Sequence, residues 1–312
     1  MPVKDKGTVY SVPDTFFLRL HHCRPRFKND VESVLIAIAT VIGDMQEAPI
    51  EPFMDNLFLT IKNYPGNFNK TDKTIHNWKT EISTLFGLVE YHSPREGWCR
   101  PGATAKMLAE NQDIPQFFKT FLFTFQYPGA HIKKQEIKNL IEAEVKFKPA
   151  KYIIEVLKTG EEQYSQFSIT KAEATHCVFN DLRVTRDGRD AGETARLIQN
   201  NRSERFSYDE TGDVIRYAGD ILDYMVLANL LRIDPSGKYF SLNWAEIHAI
   251  DTFLSSSKWF GGYDHLYGQE MIGYGEIDEI FASWFHYVND LSYNRNFSTN
   301  LSSFMSLEGR EG

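Results

Sequence analysis

The sequence predicts a mainly α-helical chain with small β-hairpins, an α+β protein that uses one plan twice. Two observations predict it. Apolar residues recur at helical spacing through most of the chain. Two distant stretches, LFGLVEYHSPREGWCRPG (Leu85 to Gly102) and LLRIDPSGKYFSLN (Leu230 to Asn243), each end an apolar helix with a polar turn and an aromatic return strand. The predicted units are 1–127, 128–250 and a helical linker over 251–312.

The elements follow in order. FFLRLHHCRPRFKN, Phe16 to Asn29, is an apolar piece that turns abruptly basic. Asn29 or Asp30 is placed to cap a helix in which Val31, Val34, Leu35, Ile38 and Val41 form one face. A second amphipathic stretch spans Pro52 to Asn63, and YPGN, Tyr64 to Asn67, breaks it. In the third, Thr71 or Asp72 caps, while Ile75, Trp78, Ile82, Leu85 and Phe86 make the apolar stripe. Gly87 ends it, and the hairpin turns at SPREG. PGATAKMLAEN opens another helix, and IPQFFKTFLFTF, Ile114 to Phe125, reads as a buried one. Three helices and then a hairpin is the order of a winged-helix module, whose third helix enters the DNA major groove.

After QYPG, Gln126 to Gly129, a helical pair follows and is expected to stop at Gly160. FSITKAEATHCVFND carries Ser168 or Thr170 as cap, and another helix covers Ala191 to Asn200. A strong helix from Asp213 leads to the second hairpin, with DPSG, Asp234 to Gly237, as its turn. The plan is thus a tandem of winged-helix-like modules with a helical C-terminal linker. That linker holds a helix, the loop WFGGYDHLYG and a further helix with Ile277, Ile280, Phe281, Trp284 and Val288, before a Ser/Asn-rich tail expected to lead onward.

Composition narrows the classes. With 312 residues, 42% apolar, 23 Phe and 15 Tyr, the chain has material for two packed domains and is not of disordered type. No apolar run approaches the length of a membrane span, and MPVKDKGTVY has no apolar signal core. Cys23, Cys99 and Cys177, odd in number and far apart, suit a reducing cytoplasm. The net charge of −8 argues against a uniformly basic nucleic-acid binder, so any phosphate binding depends on where cations cluster.

Several pieces together carry a family likeness. FGLVEYHSPREGWCRPGATAKMLAEN followed by FFKTFLFTFQYPG, then FSITKAEATHCVF, then YAGDILDYMVLANLLRIDPSGKYFSLN, resemble in order and spacing the N-terminal recognition region of type IIS restriction endonucleases and their strand-nicking relatives. The resemblance covers about half of the residues between Leu85 and Asn243. It implies double-stranded DNA as partner, a monomer, and a cleavage domain or small subunit carrying carboxylates for Mg2+, which would polarise the attacked phosphate and activate water.

No cofactor is expected within the chain itself. The E-x-K of Glu144, Val145 and Lys146 lies in a helical context rather than a buried strand; Asp113 precedes a helix, and Asp14 has no partner at useful spacing. Adjacent His21, His22 and Cys23 cannot converge on one metal, and no zinc or nucleotide-binding motif occurs. No catalytic residue is therefore assigned.

The cations are more informative. Arg24, Arg26 and Lys28 form a basic arm beside Arg19, whose plain reading is a solvated loop. Lys70, Lys73, His76 and Lys79 line the polar face of the third helix; Asn77 there can pair with adenine, and Arg95 in the wing turn can reach a phosphate or the minor groove. In the second half, Lys171 with Ser168 and Thr170, and Arg183, Arg186, Arg189, Arg202 and Arg205, are DNA-contact candidates. Interspersed Asp181, Asp187, Asp190, Glu193 and Glu204 support a mutual salt-bridge network instead. Asp213, Asp220 and Asp223 make the last helix a poor fit to a major groove. Trp259, Phe260, Tyr263, Tyr267 and Tyr274 read as a hydrophobic contact rather than a base-stacking platform. Two rivals remain: a winged-helix regulator that dimerises through its C-terminal helix, and a protein-interaction scaffold.

Overall fold

A computed structural model describes residues 8–21, 23–211 and 214–297. The fold is mainly helical with small antiparallel sheets. The first half runs α1 (Val31–Asp44), β1 (Ala48–Pro49), α2 (Ile50–Asn63), α3 (Asp72–Thr80), β2 (Val89–Tyr91), β3 (Trp98–Pro101), α4 (Ala103–Asn111) and α5 (Ile114–Thr124). Then come α6 (Lys134–Glu142), α7 (Pro149–Tyr164), α8 (Lys171–Ala174), α9 (Leu182–Thr185), α10 (Ala191–Ser203), α11 (Arg216–Leu227), β4 (Leu231–Ile233), β5 (Phe240–Leu242), α12 (Ile247–Ser255) and α13 (Tyr274–Val288).

Side-chain capping sets several starts. Thr71 accepts from the amide of Thr74 to begin α3, and Asp113 accepts from Gln116 to begin α5. Thr170 and Glu173 form a reciprocal capping box at α8. Asp30 occupies the cap position of α1 without a side-chain hydrogen bond. Both α3 and α8 continue into one π-turn, Glu81–Leu85 and Thr175–Phe179.

The two hairpins share a neighbour pattern. In the first sheet the order is β1-β3-β2, with Ala48 opposite Cys99. In the second, β5 pairs with β4 on one side, and Phe240 bridges Ile169 on the other. Ile169 precedes α8 much as β1 precedes α2, so the repeated plan extends to the third strand position.

Two expectations change. Gly160 does not stop α7, which continues to Tyr164. A Cβ at Gly160 would lie 2.3 Å from the Phe167 ring, so glycine is there to admit that ring against the helix. The last helix of the second half begins at Arg216, while the expected start at Asp213 lies outside the described residues, as do His22 and the tail from 298.

The core is continuous across the halves, and α5 is its axis. Phe117 through Thr124 are all buried. Phe118 stacks on Tyr224 of α11 at 5.1 Å, and Phe121 meets Phe86 of the first half at 5.3 Å. Residues 251–297 pack into the same body. Tyr91 of β2 lies against Phe285 and Phe281 of α13, and Phe260 against Trp284. Gln126 exchanges hydrogen bonds with the backbone of Phe260. No described helix is long and apolar enough to cross a membrane.

Asn289, after α13, caps a helix distant in sequence. Its Oδ1 accepts from the amide and hydroxyl of Thr104 at 3.1 and 3.0 Å, and its Nδ2 donates to the Gly87 carbonyl at 3.1 Å. Gly102 heads α4 with no side chain, and a Cβ there would lie 2.5 Å from Asn289 Oδ1. Replacing Asn289 by Ala orphans buried groups, so thermal or urea unfolding should show a loss of about 1–3 kcal/mol. An unchanged midpoint would mean α13 is only loosely attached.

Candidate nucleic-acid interface

The polar face of α3 exists because Ile75, Trp78 and Ile82 are buried on the other side. Lys73 and His76 are exposed; Asn77 and Lys79 are half-buried. The His76 ring lies 4.7 Å from that of Phe58, and Lys70 sits 4.2 Å over the Trp78 ring. Among the described residues, Lys73 and Lys79 have no acidic partner. In the adjoining hairpin turn Arg95 is exposed and lies 3.8 Å over the Trp98 ring, where Gly97 adopts a φ of 76°.

The basic arm is built into both halves. The chain first runs along the second half, with Tyr10 donating to Ser207 and Phe17 bridging Asp181. Tyr127 then donates its hydroxyl to the His21 carbonyl at 2.6 Å, and Tyr224 donates to the Cys23 carbonyl at 3.0 Å. Arg24 grips Asp220 through Nε and Nη2, with a closest approach of 2.8 Å. Arg26 takes Glu81 at the end of α3 through both its amide, at 2.8 Å, and its guanidinium, at 2.6 Å. Lys28 lies 3.4 Å from Asp223 and over the Tyr224 ring, and Lys171 holds Asp223 at 2.6 Å. Arg24, Lys28 and Lys171 are thus gathered on α11, and Arg26 ties the arm to the end of α3.

The remaining second-half cations are engaged with acids. Arg183 and Arg189 both bind Asp181, which has no exposure, and Arg189 also donates to the Cys177 carbonyl at 2.6 Å. Arg186 pairs with its neighbour Asp187. Arg202 chelates Glu173 at 2.7 Å and donates to the Ser168 carbonyl. Arg205 is exposed at a φ of 60°, and its side chain has no partner among the described residues. Of the salt-bridge network read from the alternating charges, Arg183 and Arg189 on Asp181 and Arg186 on Asp187 are present, while Arg202 takes Glu173, an acid outside that set.

The acids are the residues whose role the sequence did not show. Asp220 and Asp223 lie one helical turn apart on α11, a spacing that places both on the side facing the arm. The spacing was visible, but the partner of Asp220 lies 196 positions away.

The other candidates fall elsewhere. Glu144 is exposed at a φ of 57° in the turn after α6, and Lys146 salt-bridges Asp264. Neither lies in a strand. Phe260 and Tyr263 are buried, which fits the reading of that loop as packing. Among the described residues, no group of three or more His, Cys, Asp or Glu could hold a metal ion.

A family model described as "Restriction endonuclease BpuJI - N terminal" matches residues 10–285. The chain belongs to this family. The comparison with curated proteins found no match. Among solved structures, the chain is similar to one described as "Crystal structure of pyrene- and phenanthrene-modified DNA in complex with the BpuJ1 endonuclease binding domain". The identity is 24% and the TM-score 0.73, over 88% of this chain and 98% of that one. This likeness is one of fold.

Two measurements probe the site's electrostatics. Replacing Arg24 by Ala leaves the Asp220 carboxylate buried without a counter-ion, at a cost of about 3 kcal/mol or more. Replacing Asp220 by Ala as well should restore most of that stability in a denaturant titration; a double variant as unstable as the single one would refute the pairing. His131, beside the arm, has both ring nitrogens buried and unpartnered, and burial pushes its pKa down from 6.5 to about 3. Between those pH values the unfolded chain binds a proton that the folded chain does not, so stability falls as pH drops, by up to roughly 1.4 kcal/mol per unit. His131→Phe should flatten that acid limb relative to wild type, read from melting temperatures between pH 7 and pH 4.

Proposed function

We propose that this chain is the sequence-reading part of a restriction or nicking endonuclease of type IIS character. It binds an asymmetric duplex DNA site as a monomer in the cytoplasm and positions a separate Mg2+-dependent cleavage domain. The observation that carries the reading is the basic arm, fastened at Arg26 to the end of α3 and at Arg24 and Lys28 to α11. A duplex lying on α3 thereby meets cations held in place by acids of both halves.

Three further facts support it. The family is that of a restriction endonuclease N-terminal region, and the similar solved structure is described as a binding domain in complex with modified DNA. The first half runs helix, strand, two helices and two strands, with sheet order β1-β3-β2, an order that supports a winged-helix reading. In that arrangement α3 enters the major groove, Asn77 faces base edges, and Lys73, Lys79 and Arg95 meet the backbone. The acidic remainder of the chain, which is −8 overall, limits non-specific attraction.

Among the second-half candidates, Lys171 and Arg205 are the ones we place nearest DNA. Arg183, Arg186, Arg189 and Arg202 serve as struts of the loop and of α8, and they contribute less to affinity. The regulator reading finds less support, because the apolar face of α13 is spent inside the chain: Ile277, Ile280, Trp284 and Phe285 are buried.

A binding selection from random duplexes, with magnesium-dependent cutting assayed in parallel, tests the proposal. One asymmetric consensus is expected, bound with a Kd on the order of 10⁻⁸ M or tighter at physiological salt. Lys73→Ala and Lys79→Ala should each lower the salt slope by about 1, whereas Asn77→Ala should relax one base position by about 1–3 kcal/mol. A palindromic consensus would point to a dimeric regulator, and no enrichment to a protein scaffold.

A further inference from the structure

Beside the arm, a groove of about 650 Å³ runs between α3 and α6. One wall is a polar strip of α3 and its π-turn, made by Asn77, Thr80 and Thr84, at the spacing of one helix face. The opposite wall is the start of α6, with Lys133 and Lys134. Arg24 and Arg26 line the same groove, which therefore opens into the arm.

Its charge balance favours an anion. The lining acids are Glu81, taken by Arg26, and Asp278, taken by Lys134 at 2.6 Å. Lys133 has no acidic partner among the described residues, and α6 begins without a side-chain cap. Amides of an uncapped first turn add positive potential.

A second, independent feature asks for an acceptor. Tyr263 also lines the groove at 1% exposure, and its hydroxyl has no hydrogen-bond partner. Burial raises its pKa well above the ordinary tyrosine value, so the group keeps its proton and remains a donor. An unmet buried donor costs about 1–3 kcal/mol, which a ligand oxygen would recover.

We infer that this groove carries the sugar–phosphate backbone of one DNA strand past the bases that α3 reads, with Lys133 and Lys134 on its phosphates and the Tyr263 hydroxyl donating to an oxygen of the same strand. The inference rests on the reading of the chain as a duplex-recognition protein. It follows from the geometry of a helix in a major groove, where the strand backbones run along the helix flanks. Thr80 and Thr84 face this flank, and Asn77 lines the groove on its side toward the bases. Ammonium and hydroxyl donors there suit phosphates, which position a duplex without reading sequence.

The test uses the full chain and the consensus from the selection above. Lys133→Ala/Lys134→Ala and Tyr263→Phe are compared with wild type on a duplex flanked on both sides, and on duplexes trimmed to the consensus at one end or the other. Retained melting temperature confirms folding, since both lysines are exposed. On duplexes that keep the relevant flank, the double variant should bind about tenfold more weakly, and its log–log salt slope should drop by roughly 1.8, the value for two phosphates. With that flank trimmed, wild type and double variant should coincide. Tyr263→Phe should lose a few-fold in affinity on the same duplexes with no change in slope. If wild type binds tightly and the double variant matches it on every duplex, this inference falls while the recognition reading stands. If wild type binds no duplex, both fall. Loss of inorganic phosphate or deoxynucleotide binding with unchanged duplex binding would make the groove a site for free phosphate and also overturn the inference.

Discussion

Asp220 holds a charge at zero exposure, and Arg24 is the partner that makes this tolerable. A buried carboxylate stripped of its counter-ion costs several kcal/mol, so the pair fixes the course of the arm as firmly as a packing contact would. Tyr224, one helical turn along α11, fixes it again through the Cys23 carbonyl. Glu81 then receives Arg26 from the opposite side. The arm is thus a strap between the end of α3 and the flank of α11. Because its anchors are ionic and specific in direction, the two halves cannot slide without breaking them.

The same contacts give Arg24 and Arg26 unequal parts. Arg24 answers a fully buried acid, so its charge is largely spent within the protein. Arg26 is half-exposed and answers an acid with 13% exposure, which leaves one side of its guanidinium to solvent. Arm residues close together in sequence therefore divide between holding the structure and meeting a ligand. Lys171 and Lys28 share Asp223 between them, so that pair of lysines leaves a net positive charge at the mouth of the arm.

A second constraint joins the ends of the chain. The helix α5 is buried on all sides because Phe86 approaches from one half and Tyr224 from the other. The α13 region closes over the first hairpin, and Asn289 supplies the cap that Gly102 cannot. Cross-strand Glu90 bonds Arg100 at 2.9 Å and also approaches His286 of α13 at 3.5 Å. The first hairpin is therefore braced by α13, which the linear pattern presented as part of a linker.

Much of the fold was legible from local chemistry. The Thr71 and Thr170 caps, the Pro-Gly break after α2 and the apolar stripe of α3 depend on residues within one or two turns of each other, and period and capping rules act over that range. The doubled helix–hairpin plan was readable for the same reason, because each hairpin is a local object. Gly160 was misread as a stop because glycine usually breaks helices, whereas here an aromatic ring from a later turn needed the space.

The sequence by itself thus determined the mainly helical class, the repeated plan and the presence of a cationic arm and a cationic helix face. Only the tertiary structure decided which charges remain available. Arg24 and Asp220 are 196 positions apart, and Asn289 and Thr104 are 185 apart. Whether an arginine is a ligand contact or a strut depends on the acid that folding brings to it. That pairing is a matter of long-range packing, to which periodicity and spacing along the chain are blind.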